Sequence, residues 1–298
     1  SVGLAVAQIS KEKGKLHVNS GSATADLSGK ACNANTIHWT YDTWMLANGT
    51  GKAIVKSGGN TWFFLTADYA FGHALERDTE AVVTQNGGRV VGKVRTPFPT
   101  QDFSSFLLQA QASKAKIIGL ANAGGDTTNS IKQAAEFGIT KGGQNLAGLL
   151  VFLPDVHALG LNIAQGLMLT ETFYWDLNDQ TRTWTKRFSA SNGGKHPSMV
   201  QAGVYSSVLH YLKAVDAAKT DDGTKVAAKM KELPTDDVLF GKGSVRADGR
   251  KIHPAYLFEV KKPSESKGPY DYYKLVATIP ANEAFRPLAE SDCPLVKK

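Results

Sequence analysis

Trp62-Phe63-Phe64-Leu65-Thr66-Ala67-Asp68-Tyr69-Ala70-Phe71-Gly72 is the stretch that decides the fold. Four large apolar residues in a row, Trp62 to Leu65, lack the alternation of a strand with one wet face. They read as a short strand buried on both sides. Small and polar residues follow, and then a helix from Gly72 to Gln85, closed by Asn86-Gly87-Gly88. Arg89 to Arg95 sets valines against polar residues and reads as the next strand. Strand, helix, strand in this order is the unit of a parallel sheet.

The same rhythm continues outward. Phe103 to Ser113 is helical, with Phe103, Phe106, Leu107 and Ala110 on one face. Lys116 to Leu120 is a strand, Thr127 to Phe137 a helix, and Asn145 to Phe152 a strand. Upstream, Asp42-Thr43 caps a helix that runs to Lys56-Ser57 and stops at Gly58-Gly59. A helix over 2–12 and a short strand over 15–19 precede it, and further helices are expected at 197–219 and 223–231. From Lys251 onward prolines accumulate and short aromatic strands appear at 255–258 and 272–276. The fold class is therefore α/β. The 298 residues suit two lobes better than one core. No internal repeat is present, which argues against a solenoid.

Composition excludes several classes of function. Hydrophobic residues make up 42% and charged residues 20%, the mix of a folding globular chain. No apolar run is long enough to span a membrane. The net charge of +7 is scattered, with basic clusters only two residues long (Lys261-Lys262, Lys297-Lys298), so no nucleic-acid partner is expected. There is no P-loop, no HExxH and no GxSxG. Gly241-Lys242-Gly243 carries Arg246 where a dinucleotide fingerprint needs glycine. The histidines are dispersed, and Cys32 and Cys293 belong to no CxxC, so neither a metal nor a cofactor is expected. The two cysteines are either an oxidised pair or two unrelated buried thiols.

What remains is a set of polar, small and aromatic residues where strands end, the edge at which open parallel sheets bind ligands. Ser20 to Leu27 offers hydroxyls and free amides to a carboxylate, or simply caps the next segment. Thr66 to Gly72 places Tyr69 and Phe71 beside a flat ligand, or packs them on their own strand. Ala121 to Asp126, with Asn122, is a permissive polar loop, or a plain one with Asp126 as cap. Leu153 to His157 sets Asp155 to accept from a hydroxyl or ammonium with His157 nearby, or is a turn and cap.

Asn19-Ser20-Gly21-Ser22-Ala23-Thr24, His38-Trp39-Thr40-Tyr41-Asp42-Thr43, Asp68-Tyr69-Ala70-Phe71-Gly72 and Ala134-Ala135-Glu136-Phe137-Gly138-Ile139 resemble one family. It is the type I periplasmic solute-binding proteins of ABC transporters, in the leucine/isoleucine/valine-binding branch. The resemblance implies two doubly wound parallel-sheet lobes joined by a three-crossover hinge, near Tyr41, Thr172 and Lys251. Lobe one is then 1–41 with 173–250, lobe two 42–172 with 251–280, and 281–298 a tail. Lobe one is expected to be incomplete at its N-terminus, since the family's first strands have no counterpart.

The resemblance also implies a ligand site. Ser22 and Thr24 match the carboxylate-holding turn and Phe71 the aromatic wall, with Tyr69 and Tyr41 adjoining. Asp155 lines up with the acidic ammonium partner; Asn122 and His157, read from their own loops, join the candidate set. Asp155 is shorter than the usual Glu, and the loop at 122–126 lacks the aromatic residue of many amino-acid binders. An aromatic carboxylate is favoured, with a branched-chain amino acid as the alternative. A sensory receptor domain of the same fold is a further alternative. An enzyme using Asp155 and His157 as acid and base lacks a nucleophile, so no catalysis is expected. The implied setting is the periplasm, with a membrane permease as partner and a monomeric state. That oxidising compartment favours a Cys32–Cys293 bond.

Overall fold

The computed structural model describes residues 1–297. The chain opens with α1 (Val2–Glu12), β1 (His17–Asn19) and β2 (Thr36–His38). Next come α2 (Thr43–Leu46), α3 (Lys52–Lys56), β3 (Thr61–Ala67), α4 (Ala70–Gln85), β4 (Arg89–Thr96), α5 (Ser104–Ala112), β5 (Ile117–Ala121) and α6 (Gly125–Glu136). Then follow β6 (Asn145–Gly148), α7 (Leu153–Leu159), α8 (Leu161–Ala164), β7 (Met168–Glu171), α9 (Asp179–Ser191), α10 (Met199–Ala218) and α11 (Gly223–Glu232). The last elements are β8 (Thr235–Asp237), β9 (Gly241–Val245), β10 (Lys251–Ile252), β11 (Ala255–Val260), β12 (Tyr273–Ile279) and α12 (Ala281–Ala284). Among the described residues no helix is long and apolar enough to cross a membrane.

The chain forms two compact units: residues 1–42, 172–255 and 279 onward make the first, and 43–171 with 256–278 the second. The second unit is built on a seven-stranded sheet in the order β12-β11-β7-β6-β5-β3-β4. Strands β3 to β7 pair in parallel, and β11 pairs antiparallel with β7. Trp62, Phe64 and Leu65 of β3 are fully buried, as are Ile118 and Leu120 of β5. This is why β3 carries no polar alternation: helices cover both of its faces. Gly72 is required here, because a Cβ on it would run into the carbonyl oxygen of Ala67. Only glycine lets α4 start this close to the end of its own strand.

The first unit holds a two-stranded parallel sheet, β1-β2, and an antiparallel sheet β10-β9-β8. Ile37, Trp39, Ala214, Val226, Met230 and Val245 form its core cluster, with Leu16, Val18 and Tyr211 packed against it. Cys32 and Cys293 are bonded within this unit, their Cα atoms 5.6 Å apart. The bond ties the proline-rich tail to the connection between β1 and β2.

Two sequence expectations need correction, and one helix has no counterpart in the sequence reading. The strand expected over 145–152 is only β6, because the chain leaves the sheet after Gly148 and starts α7 at Leu153. The single helix expected from Asp42 to Lys56 is interrupted by a π turn over Ala47–Gly51. Gly49 sits there against the side chain of Thr170, where a Cβ would collide. Helix α9 was not anticipated, since its charged residues hide a narrow apolar stripe at Trp184 and Phe188.

Candidate functional site

In the second unit, β3 lies between β5 and β4. The chain leaves β3 for β4 on one side, then crosses through α5 to β5 on the other. The loops after β3 and β5 thus diverge, and such a switch point is where open α/β sheets form a ligand crevice. Tyr69 follows β3, Phe98 follows β4, and Asp126 opens α6 after β5. The Tyr69 ring stacks on Phe98 with centroids 4.4 Å apart and lies 5.8 Å from Phe71. Phe98 is 54% exposed and Phe71 buried, so the three rings run from core to surface.

Asp126 is 3% exposed. Its Oδ1 accepts the Thr100 N–H at 3.2 Å, while its Oδ2 has no hydrogen-bond partner. Burial raises its pKa, opposed in part by the Thr100 amide. Burial also raises the pKa of Tyr69, and the negative charge of Asp126 adds to that shift. Aromatic faces and one uncommitted carboxylate oxygen therefore meet at the switch point. Such a group accepts a hydrogen bond from a ligand hydroxyl or ammonium.

The other residues expected in this unit are placed differently. Asn122 is fully buried and serves the start of α6: its Oδ1 accepts from Thr127 Oγ1 at 2.7 Å, and its Nδ2 reaches Ser130 Oγ at 3.3 Å. Asp155 Oδ2 accepts the Phe152 N–H at 2.9 Å and so caps α7. Burial raises its pKa and the Phe152 amide pulls it back. His157 is exposed, pairs through Nδ1 with Tyr272 Oη at 2.7 Å and stacks on Tyr270 at 4.6 Å. Those tyrosines lead into β12, at the edge of the sheet opposite β4.

In the first unit the turn after β1 is braced from several sides. Asn19 holds Ser22 twice: Nδ2 donates to the Ser22 carbonyl at 2.7 Å and Oδ1 accepts the Ser22 N–H at 3.0 Å. His38 Nε2 is 3.0 Å from the same carbonyl. Burial, then the charge of Arg250, hold the His38 pKa well below its usual value. The ring is therefore neutral and donates from Nε2. Tyr41 Oη donates to the Gly21 carbonyl at 2.8 Å, and the hydroxyls of Ser20 and Thr40 are paired.

These contacts change the parts expected of the hydroxyl residues. Tyr41 spends its hydroxyl on the turn itself. The Ser22 hydroxyl faces Gly3 of α1, where any side chain would collide with it. Thr24 Oγ1 accepts weakly from the Asp26 N–H at 3.4 Å. The described contacts include no acceptor for the amides of Ala23 and Thr24. Those amides and the Thr24 hydroxyl are among the donors the turn offers an anion.

Sequence reasoning missed Asn19 and His38 as braces, Phe98 as the stacking partner, and Asp126 as more than a cap. Only Asp126 and Phe98 left a signal, since both lie just past a strand end.

Residues 1–269 match the family model described as periplasmic binding protein. A periplasmic binding protein of Burkholderia mallei is 55% identical with a TM-score of 0.96, over 99% of this chain and 78% of that one. A branched chain amino acid ABC transporter periplasmic ligand-binding protein of Burkholderia xenovorans is 40% identical at 0.87, over 99% and 79%. A solute-binding protein of an ABC transporter from R. palustris, solved in complex with benzoate, shares the fold at 0.81 with 22% identity, over 99% and 78%.

Proposed function

Because the chain belongs to the periplasmic binding protein family, we propose that it is the extracytoplasmic solute-binding component of an ABC importer whose cargo is a small aromatic carboxylate. The observation that carries the choice of cargo is the Tyr69–Phe98 stack beside Phe71 and the uncommitted oxygen of Asp126. A flat ring is held by aromatic faces, and a ring hydroxyl finds its acceptor in Asp126. Within the first unit, the amides of Ala23 and Thr24 and the Thr24 hydroxyl are the donors suited to a carboxylate. The protein acts in the periplasm as a monomer, hands its cargo to a membrane permease, and turns nothing over.

A branched-chain amino acid is the second possibility, favoured by the name of the 40% identical relative. In that case Asp126 takes the ammonium group. Calorimetric titration with benzoate, 4-hydroxybenzoate, leucine and valine separates the two. Heat with the benzoates and none with the amino acids is the expected result. Binding of leucine or valine alone assigns the amino-acid class instead, and silence with all four overturns the carboxylate proposal.

A further inference from the structure

Arg250 is a buried cation that touches none of the residues assigned to the ligand. Its side chain is fully buried. The guanidinium fans over three backbone carbonyls: Nη2 donates to Trp39 at 2.6 Å, Nη1 to Tyr41 at 3.1 Å, and Nε to Lys251 at 3.1 Å. The Asp42 carboxylate lies 3.5 Å from Nη1 and the Phe285 ring 4.2 Å below. Burial lowers its pKa to about 10, so it stays charged at neutral pH. Three separate segments of the first unit, 39–42, 250–251 and 285, meet on this one side chain.

We infer that Arg250 is a positioning residue, which sets the ligand-holding turn through Tyr41 without reaching the ligand. The path is short and continuous. Arg250 pins the carbonyls of Trp39 and Tyr41, and that fixes the direction in which the Tyr41 side chain leaves the backbone. The phenol then donates to the Gly21 carbonyl. Holding that carbonyl orients the turn whose next amides are Ser22, Ala23 and Thr24. A planar fork is needed to serve three carbonyls at once, and a lysine ammonium has no such geometry.

What the turn binds rests on the proposed function; how it is held does not. Hydrogen exchange of the turn amides in the ligand-free protein therefore tests the inference by itself. Tyr41→Phe removes only the phenol hydroxyl, and exchange of the Ser22 amide, which donates to Asn19 Oδ1, should quicken about fivefold, as for one lost hydrogen bond. Arg250→Lys should quicken the same amide, and adding Tyr41→Phe to it should bring little more. Should Arg250→Lys fail to fold, Phe285→Leu loosens the guanidinium from the tail side and should again quicken exchange at Ser22. Unchanged exchange there in the folded variants, or fully additive effects of the Tyr41 and Arg250 changes, overturns it. Loss of benzoate binding in the parent protein would sink the proposed function and leave the exchange result standing.

Discussion

The turn after β1 and the loops after β3, β4 and β5 occupy equivalent places at strand ends, yet they are built differently. In the turn, Asn19, His38 and Tyr41 consume the carbonyls of Gly21 and Ser22, and the donors that remain include the amides of Ala23 and Thr24 and the Thr24 hydroxyl. In the loops, rings stack outward from Phe71 to Phe98, and Asp126 keeps an oxygen uncommitted. A rigid group of donors suits a feature common to all cargoes, such as a carboxylate. A set of rings and one loose acceptor suits the part of the cargo that varies.

The contrast breaks most visibly if the rigid side is loosened. Replacing Cys32 and Cys293 by serine opens a link between residues 261 apart. The chain-entropy model sets the loss at up to about 5 kcal/mol. The loss should appear as faster hydrogen exchange across the first unit, with β3 to β6 unaffected. Equal loss in both units would show that the bond does not act on the first unit alone.

Lys251 sharpens the same point through pH. Its ammonium has no hydrogen-bond partner and sits 5.0 Å from the Trp39 ring and 4.6 Å from Phe240. Burial lowers its pKa to about 7, against the attraction of Asp237 and aided by Arg250. Between about 7 and the usual lysine value the unfolded chain holds a proton that the folded chain has shed. Stability therefore rises with pH over that window and is lowest below it. Lys251→Met should flatten the slope and stabilise the protein near pH 6 by about 1–4 kcal/mol. Denaturant midpoints across pH check this, and an unchanged slope would remove Lys251 from the account.

Thr24→Ala tests the proposed carboxylate anchor. It should weaken carboxylate binding by about 1.5–3 kcal/mol, as for a hydrogen bond to a charged group, with folding little changed. Parent-like affinity by calorimetry would reduce Thr24 to a cap. The smallest effect is expected at His157, whose partners are Tyr270 and Tyr272. His157→Ala should leave affinity within about 0.5 kcal/mol, the range for surface changes. A larger loss would move the discriminating surface toward α7.

Much of this was legible in the residues, and the reasons differ by element. Strand β3 declared itself through four contiguous large apolar residues, and α4 and α6 through caps and periodicity. Strand β2 and the β8–β9 hairpin did not, being too short to show a period. Asp155 and Asp126 looked alike in the sequence, each just past a strand end. Each accepts one amide, but Asp155 takes it from Phe152 three residues back and so caps its own helix, whereas Asp126 takes it from Thr100 on another loop and keeps a buried oxygen unpaired.

The amino-acid sequence by itself determined the alternating elements, the parallel core of the second unit and the family, because burial periodicity and turn chemistry act over a few residues. It also supplied two cysteines, expected to pair from the oxidising compartment that the family implies, and the structure joins them. Tertiary structure alone decided that Tyr41 serves Gly21 and that Arg250 gathers residues 39, 41, 42, 251 and 285. Those contacts join positions up to 211 residues apart. Their partners are backbone carbonyls and ring faces, groups that nearly every residue type offers and no local pattern marks.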